Sequence, residues 1–197
     1  MRVIMLPPAF AQAEDFRHAG FADAVRRRAL AVDLVFADLE ASHLTDRSVV
    51  ERVWQLVAEA RAESAEVWLG GISLGGYVAL NVARSHADAL AGMCLFAPYL
   101  GSHIVTDEVS RAGLADWNPA SFEEDDDERH VWRFLQTRPA TLPIHLGLGS
   151  EDRFAGRHRL LAQTLPSADV DSIPGGHDWP TWHRLWENFL DVRLARP

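Results

Sequence analysis

The chain has 197 residues, 48% hydrophobic and 24% charged, a balance that supports one compact core and excludes intrinsic disorder. Its net charge of −9 excludes an electrostatic grip on phosphate backbones, so nucleic acid is not expected as a partner. All 19 basic residues are arginine, which removes the lysine needed for Schiff-base catalysis, a Ser–Lys dyad or a phosphate-binding P-loop.

Taken in chain order, Val3 to Leu6 reads as a buried strand stopped by Pro7-Pro8. The apolar run of MRVIMLPPAF is too short for a signal-peptide core or a membrane span, so a cytoplasmic location is the expectation. Residues 14–30 have helical spacing, with Phe16, Ala19, Val25 and Leu30 on one side. Val32 to Phe36 is the next strand. Asp46 to about Glu63 is a helix carrying Val49, Val50, Val53, Leu56 and Val57 as an apolar stripe. Glu66 to Leu69 is a strand, and a helix rich in small residues runs from about Leu74 to Ser85.

Leu90 to Phe96, Ile144 to Leu148 and Ala168 to Ile173 complete the strands, with helices at 155–165 and 178–194. No repeat, low-complexity linker or domain boundary interrupts this order, so residues 1–197 are expected to form one domain. A small helical insertion is expected at about 98–142. Strand and helix in alternation predict a largely parallel sheet with helices on both faces. Runs such as VIML and MCLF are continuously apolar, as strands buried on both sides require. In such sheets the site lies at the carboxyl ends of the strands.

Three segments stand there. Gly71-Ile72-Ser73-Leu74-Gly75 follows a strand and opens a helix, the setting of a nucleophile elbow. A Cβ on either flanking glycine would collide with the neighbouring chain, and the Leu74 N–H would be free for an oxyanion. A glycine-rich turn whose serine only caps the helix is the alternative. Gly149-Ser150-Glu151-Asp152-Arg153-Phe154 puts an acid on a turn past a late strand, where it orients an imidazole or, more simply, caps the next helix. Pro174-Gly175-Gly176-His177-Asp178 puts a histidine on a loop between the last strand and last helix, where it reaches the site or lies on the surface as one of nine. Serine, acid and histidine, each after a successive strand, follow the hydrolase order Ser, Asp, His rather than those of chymotrypsin-like or subtilisin-like proteases.

On these residues the chain resembles the α/β-hydrolase superfamily across nearly its whole length. The segment GGHDWPTWHRLWENFL is also similar to the carboxyl-terminal end of the esterase D and mycolyltransferase-like branch. The resemblance implies a three-layer α/β sandwich around a mostly parallel sheet. It would be a minimal form, lacking the amino-terminal antiparallel hairpin and a large lid. It implies a serine hydrolase with no cofactor, with Ser73 as nucleophile, His177 as base and Asp152 as acid. The substrate would be a small acyl compound, with ester, thioester and amide cleavage all open. Where many relatives carry His-Gly after the first strand, this chain has Pro7-Pro8-Ala9-Phe10. Proline has no N–H, so the second oxyanion donor beside Leu74 falls to Ala9 or Phe10. A catalytically silent binding module of the same fold is the competing reading, and the altered loop is its support.

Asp178 and Glu151 are rival acids. Tyr99, Phe154 and Trp179 are candidates for the substrate pocket, and Trp182 and Trp186 for packing the last helix on the sheet. The run Glu123 to Glu128 reads as a solvated helix start, and it lacks the alternation and turn glycine of a calcium loop. The histidines lack zinc spacing, so no metal is expected. Cys94 lies inside an apolar run and reads as a buried thiol.

Overall fold

The computed structural model describes residues 1–39, 48–63, 66–119 and 121–194. Six strands, β1 (Arg2–Leu6), β2 (Asp33–Phe36), β3 (Val67–Ile72), β4 (Gly92–Phe96), β5 (Ile144–Gly149) and β6 (Val170–Ile173), form one sheet in the order β2-β1-β3-β4-β5-β6. Every neighbouring pair is parallel. The helices are α1 (Ala13–His18), α2 (Phe21–Arg27), α3 (Val49–Glu63), α4 (Leu74–His86), α5 (His103–Ala112), α6 (Asp127–Thr137), α7 (Ala155–Ala162) and α8 (Trp179–Phe189).

The strands' period of two divides their side chains between two cores. Ile4, Leu69, Leu95 and Leu146 face the side covered by α3 to α7, where Val53, Val82, Val109, Trp132 and Leu161 meet them. Val3, Met5, Ile72, Cys94 and Phe96 face α1, α2 and α8, which bring Phe16, Phe21, Trp182, Trp186 and Phe189. Both faces are covered, which is why β1, β3 and β4 read as apolar runs, while the partly exposed edge strands β2 and β6 carry Asp33 and Asp171. Cys94 is fully buried, and burial pushes its thiol pKa up.

Several boundaries differ from the sequence reading. The expected helix over 14–30 is two helices, because Gly20 adopts φ 85° between them. β3 runs on through Gly70 and Gly71 to Ile72, since Gly70 pairs with Cys94 and Gly71 with Leu95. The helix expected over 155–165 stops at Ala162. The last helix starts after Asp178, whose carboxylate accepts the Thr181 N–H at 2.9 Å, and closes as a π-helical turn over Leu190–Leu194. The acidic run does open a helix: Asp126 caps α6 by accepting the Arg129 N–H at 3.1 Å. It is not merely solvated, because Glu128 accepts from the Tyr99 hydroxyl at 2.7 Å and the Ser102 N–H at 2.9 Å. The expected helix start at Asp46 lies outside the described residues.

Residues 98–142 carry α5 and α6, whose Val109, Trp132 and Leu135 join the core beside α4. From β1 the chain passes to the edge strand β2 and then returns across the sheet to β3. The loops after β1 and β3 therefore diverge and leave a crevice above the carboxyl ends of these strands. Among the described residues no helix is long and apolar enough to cross a membrane.

Candidate active site

Ser73 is the residue between β3 and α4, held at φ 50° and ψ −112°. That left-handed backbone is costly for a residue with a Cβ, and the surroundings enforce it. Its N–H donates to the Phe96 carbonyl at 3.0 Å, and its carbonyl accepts from Tyr99 at 2.8 Å and Tyr77 at 3.2 Å. A Cβ on Gly71 would collide with the backbone of Gly75 and Gly76, and one on Gly75 with the carbonyls of Leu6 and Pro7. The second contact presses the loop after β1 against the first turn of α4.

The turn after β5 carries Asp152, whose side chain is fully buried. The Phe154 N–H donates to its Oδ1 at 2.8 Å. This turn is tied to the loop after β6: the Ser150 N–H donates to the Ile173 carbonyl at 2.8 Å and the Glu151 N–H to the Gly175 carbonyl at 3.0 Å. That loop brings His177 back over the sheet, where its Nδ1 lies 2.6 Å from Asp152 Oδ2 and its Nε2 lies 3.0 Å from Ser73 Oγ. A carboxylate accepts only, so Nδ1 carries the proton and Nε2 is free to accept from the serine hydroxyl. The imidazole packs edge to face against Phe154 at 5.3 Å and Trp182 at 5.0 Å between ring centres.

Burial works against the charge on Asp152, but the hydrogen bonds from His177 and the Phe154 N–H outweigh it and hold its pKa below the usual carboxylate range. Among the described residues neither rival acid hydrogen-bonds the His177 ring. Asp178 is occupied as the cap of α8, and Glu151 is exposed.

Ser73 and His177 stand in a cleft of about 760 Å³. Leu74, Ala9 and Phe10 line it, as do Tyr99, Phe154 and Trp179. The loop after β1 turns tightly there. The Ala11 N–H reaches back to the Pro8 carbonyl at 3.3 Å and Phe10 takes φ 65°, with its ring fully exposed. Among the described residues of the expected insertion, only Tyr99 lines this cleft. Sequence reasoning took Trp182 for packing alone, and it missed that the same ring borders the cleft and touches His177. Its i−4 spacing from Trp186 signals a buried helix face, and nothing in the sequence says which loop that face meets. Among the described residues, no three His, Cys, Asp or Glu side chains gather as a metal ion would need.

Residues 32–189 match the esterase family described as "Putative esterase". The chain belongs to this family. No curated protein matches it in sequence. Among solved structures, an S-formylglutathione hydrolase (FrmB) from Staphylococcus aureus is similar with a TM-score of 0.70 and 13% identity, over 96% of this chain and 79% of that one. The fluorophosphonate-binding serine hydrolase F of Staphylococcus aureus gives 0.70 and 10%, over 100% and 84%. A ferulic acid esterase gives 0.68 and 14%, over 97% and 84%. These likenesses establish that this esterase-family chain has the α/β-hydrolase fold, with a compact six-strand sheet that is parallel throughout.

Proposed function

We propose that this esterase-family member is a serine hydrolase that cleaves an ester or related acyl bond of a small substrate through a covalent acyl-enzyme. One observation carries the reading. Ser73 Oγ, His177 and the buried Asp152 form an unbroken chain of contacts at 3.0 and 2.6 Å, opening into a cleft.

The chemistry follows from that chain. His177 Nε2 takes the hydroxyl proton as Ser73 Oγ bonds to the substrate carbonyl carbon. The electron pair displaced onto the carbonyl oxygen is held by the Leu74 N–H, at the start of α4, and by the N–H of Ala9 or Phe10. The intermediate collapses, the bond to the leaving group breaks, and the imidazolium returns the proton to the departing atom. Water then repeats the sequence on the acyl-enzyme and restores Ser73. Asp152 keeps Nδ1 protonated and steadies the imidazolium in both halves. Tyr99, Phe154 and Trp179 shape the room for the substrate. Carboxylesterase-type cleavage is the reading we put first, and a cytoplasmic location accords with a single thiol that is buried and reduced.

The test is labelling with a fluorophosphonate probe beside turnover of p-nitrophenyl esters of rising chain length. Wild-type protein should label and turn over. Ser73→Ala should not label and should lose about 10⁶-fold in kcat. Folded wild-type protein that neither labels nor hydrolyses any ester would favour the silent binding module.

A further inference from the structure

His158 stands in α7 with its side chain wholly buried, and the chemistry above makes no use of it. Its Nε2 lies 3.1 Å from the carbonyl oxygen of Pro98. A carbonyl only accepts, so Nε2 carries the proton and Nδ1 keeps a lone pair. Among the described residues that Nδ1 has no hydrogen-bond partner. It stands 4.0 Å from Oδ2 of Asp152, the same oxygen that His177 Nδ1 approaches to 2.6 Å. Pro98 belongs to the loop after β4, where Ala97 is held at φ 46° and the next N–H, that of Tyr99, donates to the Ser73 carbonyl at 2.8 Å. The turn bearing Asp152 and the loop bracing Ser73 are thus joined through His158, by a path that does not pass through His177.

We propose that His158 is a positioning residue of this site, setting the separation of Asp152 and Ser73 through Pro98 and reserving Asp152 Oδ2 for His177. The proposal rests on the hydrolase reading above. His177 must reach both partners in one rotamer, and displacing either end by about 1 Å can cost 10²-fold in rate. A buried carboxylate oxygen takes any donor that faces it, and a second donor would draw off charge that steadies the imidazolium. The neutral ring of His158 turns a lone pair to that oxygen instead. Burial keeps it neutral, pushing its pKa down to about 4. Of the charged groups that face it, Asp152 draws that value up, while His177 and Arg157 press it down. Once protonated, Nδ1–H would compete with His177 for Oδ2.

The test pairs two variants. His158→Gln keeps an N–H where Nε2 stood, and His158→Met fills the space without one. On p-nitrophenyl acetate the Met variant should lose about tenfold in kcat or more with KM within about twofold, and the Gln variant should stay within about threefold of wild type. In short assays at pH 4–7, the acid limb of kcat should steepen beyond one proton only as pH nears 4 for wild type, and hold at one proton for the Gln variant. Wild-type kcat in the Met variant, or equal losses in both variants with an unchanged acid limb, overturns the proposal. If the Met variant does not fold, the acid limb of the Gln variant decides alone, one proton supporting the proposal and the wild-type slope overturning it. Should wild type hydrolyse no ester, the hydrolase reading fails, and the low-field proton resonance of His177 Nδ1–H still decides the positioning role. Displaced or lost in His158→Met and kept in His158→Gln, that resonance supports it; unmoved in both, it overturns it.

Discussion

The carboxyl-terminal rim of the sheet and its two packed faces are made by the same strands, yet they obey different rules. On the faces, apolar side chains alternate between two cores over relaxed extended backbone. On the rim, Phe10, Ser73 and Ala97 follow β1, β3 and β4 at φ 65°, 50° and 46°. Among the described residues only one further non-glycine residue, Ala29, has positive φ, and it lies on the way into β2. Each such residue costs on the order of 1–3 kcal/mol and persists only where packing over-determines it. The faces supply that packing, and the rim spends it where the polar groups of the candidate site converge.

If the rim is a working site, its polar contacts should govern rate and leave stability nearly alone. The strongest way to break the comparison is Asp152→Asn beside Asp178→Asn. The first should cut kcat about 10⁴-fold, because an amide at that place favours the wrong tautomer of His177. The second should keep kcat within about threefold and stability within about 0.5 kcal/mol, since asparagine caps α8 about as well as aspartate. Steady-state kinetics and urea unfolding on both variants check this. A large rate loss confined to Asp178→Asn would reassign the acid.

The junction between rim and face should behave in the opposite way. Gly75→Ala places a Cβ against the carbonyls of Leu6 and Pro7, neither of which can yield without moving β1 or its loop. The expected loss is about 3 kcal/mol in urea unfolding, with activity falling in step with the folded fraction. Full stability in that variant would mean that the loop after β1 is free to move away from α4.

How much of this was legible in the sequence divides along the same line. The positions of the inner strands and their burial were readable because a parallel strand declares itself by a continuous apolar run, whereas their order in the sheet was not. The meeting of Ser73, Asp152 and His177 was anticipated because each stands directly behind a strand, so topology alone brings them to one rim. The break at Gly20 was not, since helical periodicity carries across it and only the left-handed backbone interrupts the helix. Trp182 and His158 were missed for a different reason. Each touches the site through tertiary packing, and local sequence carries no mark of which neighbour a buried ring will meet.

The faces carry a pH dependence of their own. His145 lies in β5 beside Phe96 and Phe189, and among the described residues neither ring nitrogen has a hydrogen-bond partner. Burial pushes its pKa down to about 4 from 6.5, as it does for His158. The unfolded chain therefore binds more protons than the folded one between these values, so stability falls as pH drops from about 6.5 toward 4. Each ring should cost about 2 kcal/mol between pH 7 and pH 5. His145→Leu, which has nothing to protonate, should remove its share of that slope in urea titrations and leave kcat at pH 7 unchanged. An undiminished slope in this variant would place the acid sensitivity elsewhere.

The smallest expected effect sharpens the comparison at its most exposed point. Phe10 is fully exposed, so its ring contributes little packing, while its φ of 65° is a conformation that glycine adopts freely. In Phe10→Gly the relief of strain and the added entropy of the unfolded chain nearly cancel, leaving stability within about 0.5 kcal/mol. The turn loses stiffness all the same, and if the N–H of Ala9 or Phe10 holds the oxyanion as proposed, that donor gains freedom. A fall of about threefold in kcat at constant KM is the expected result. A variant as fast as wild type would show that this strained turn does nothing for the transition state, and the second oxyanion contact would then have to come from a rigid neighbour.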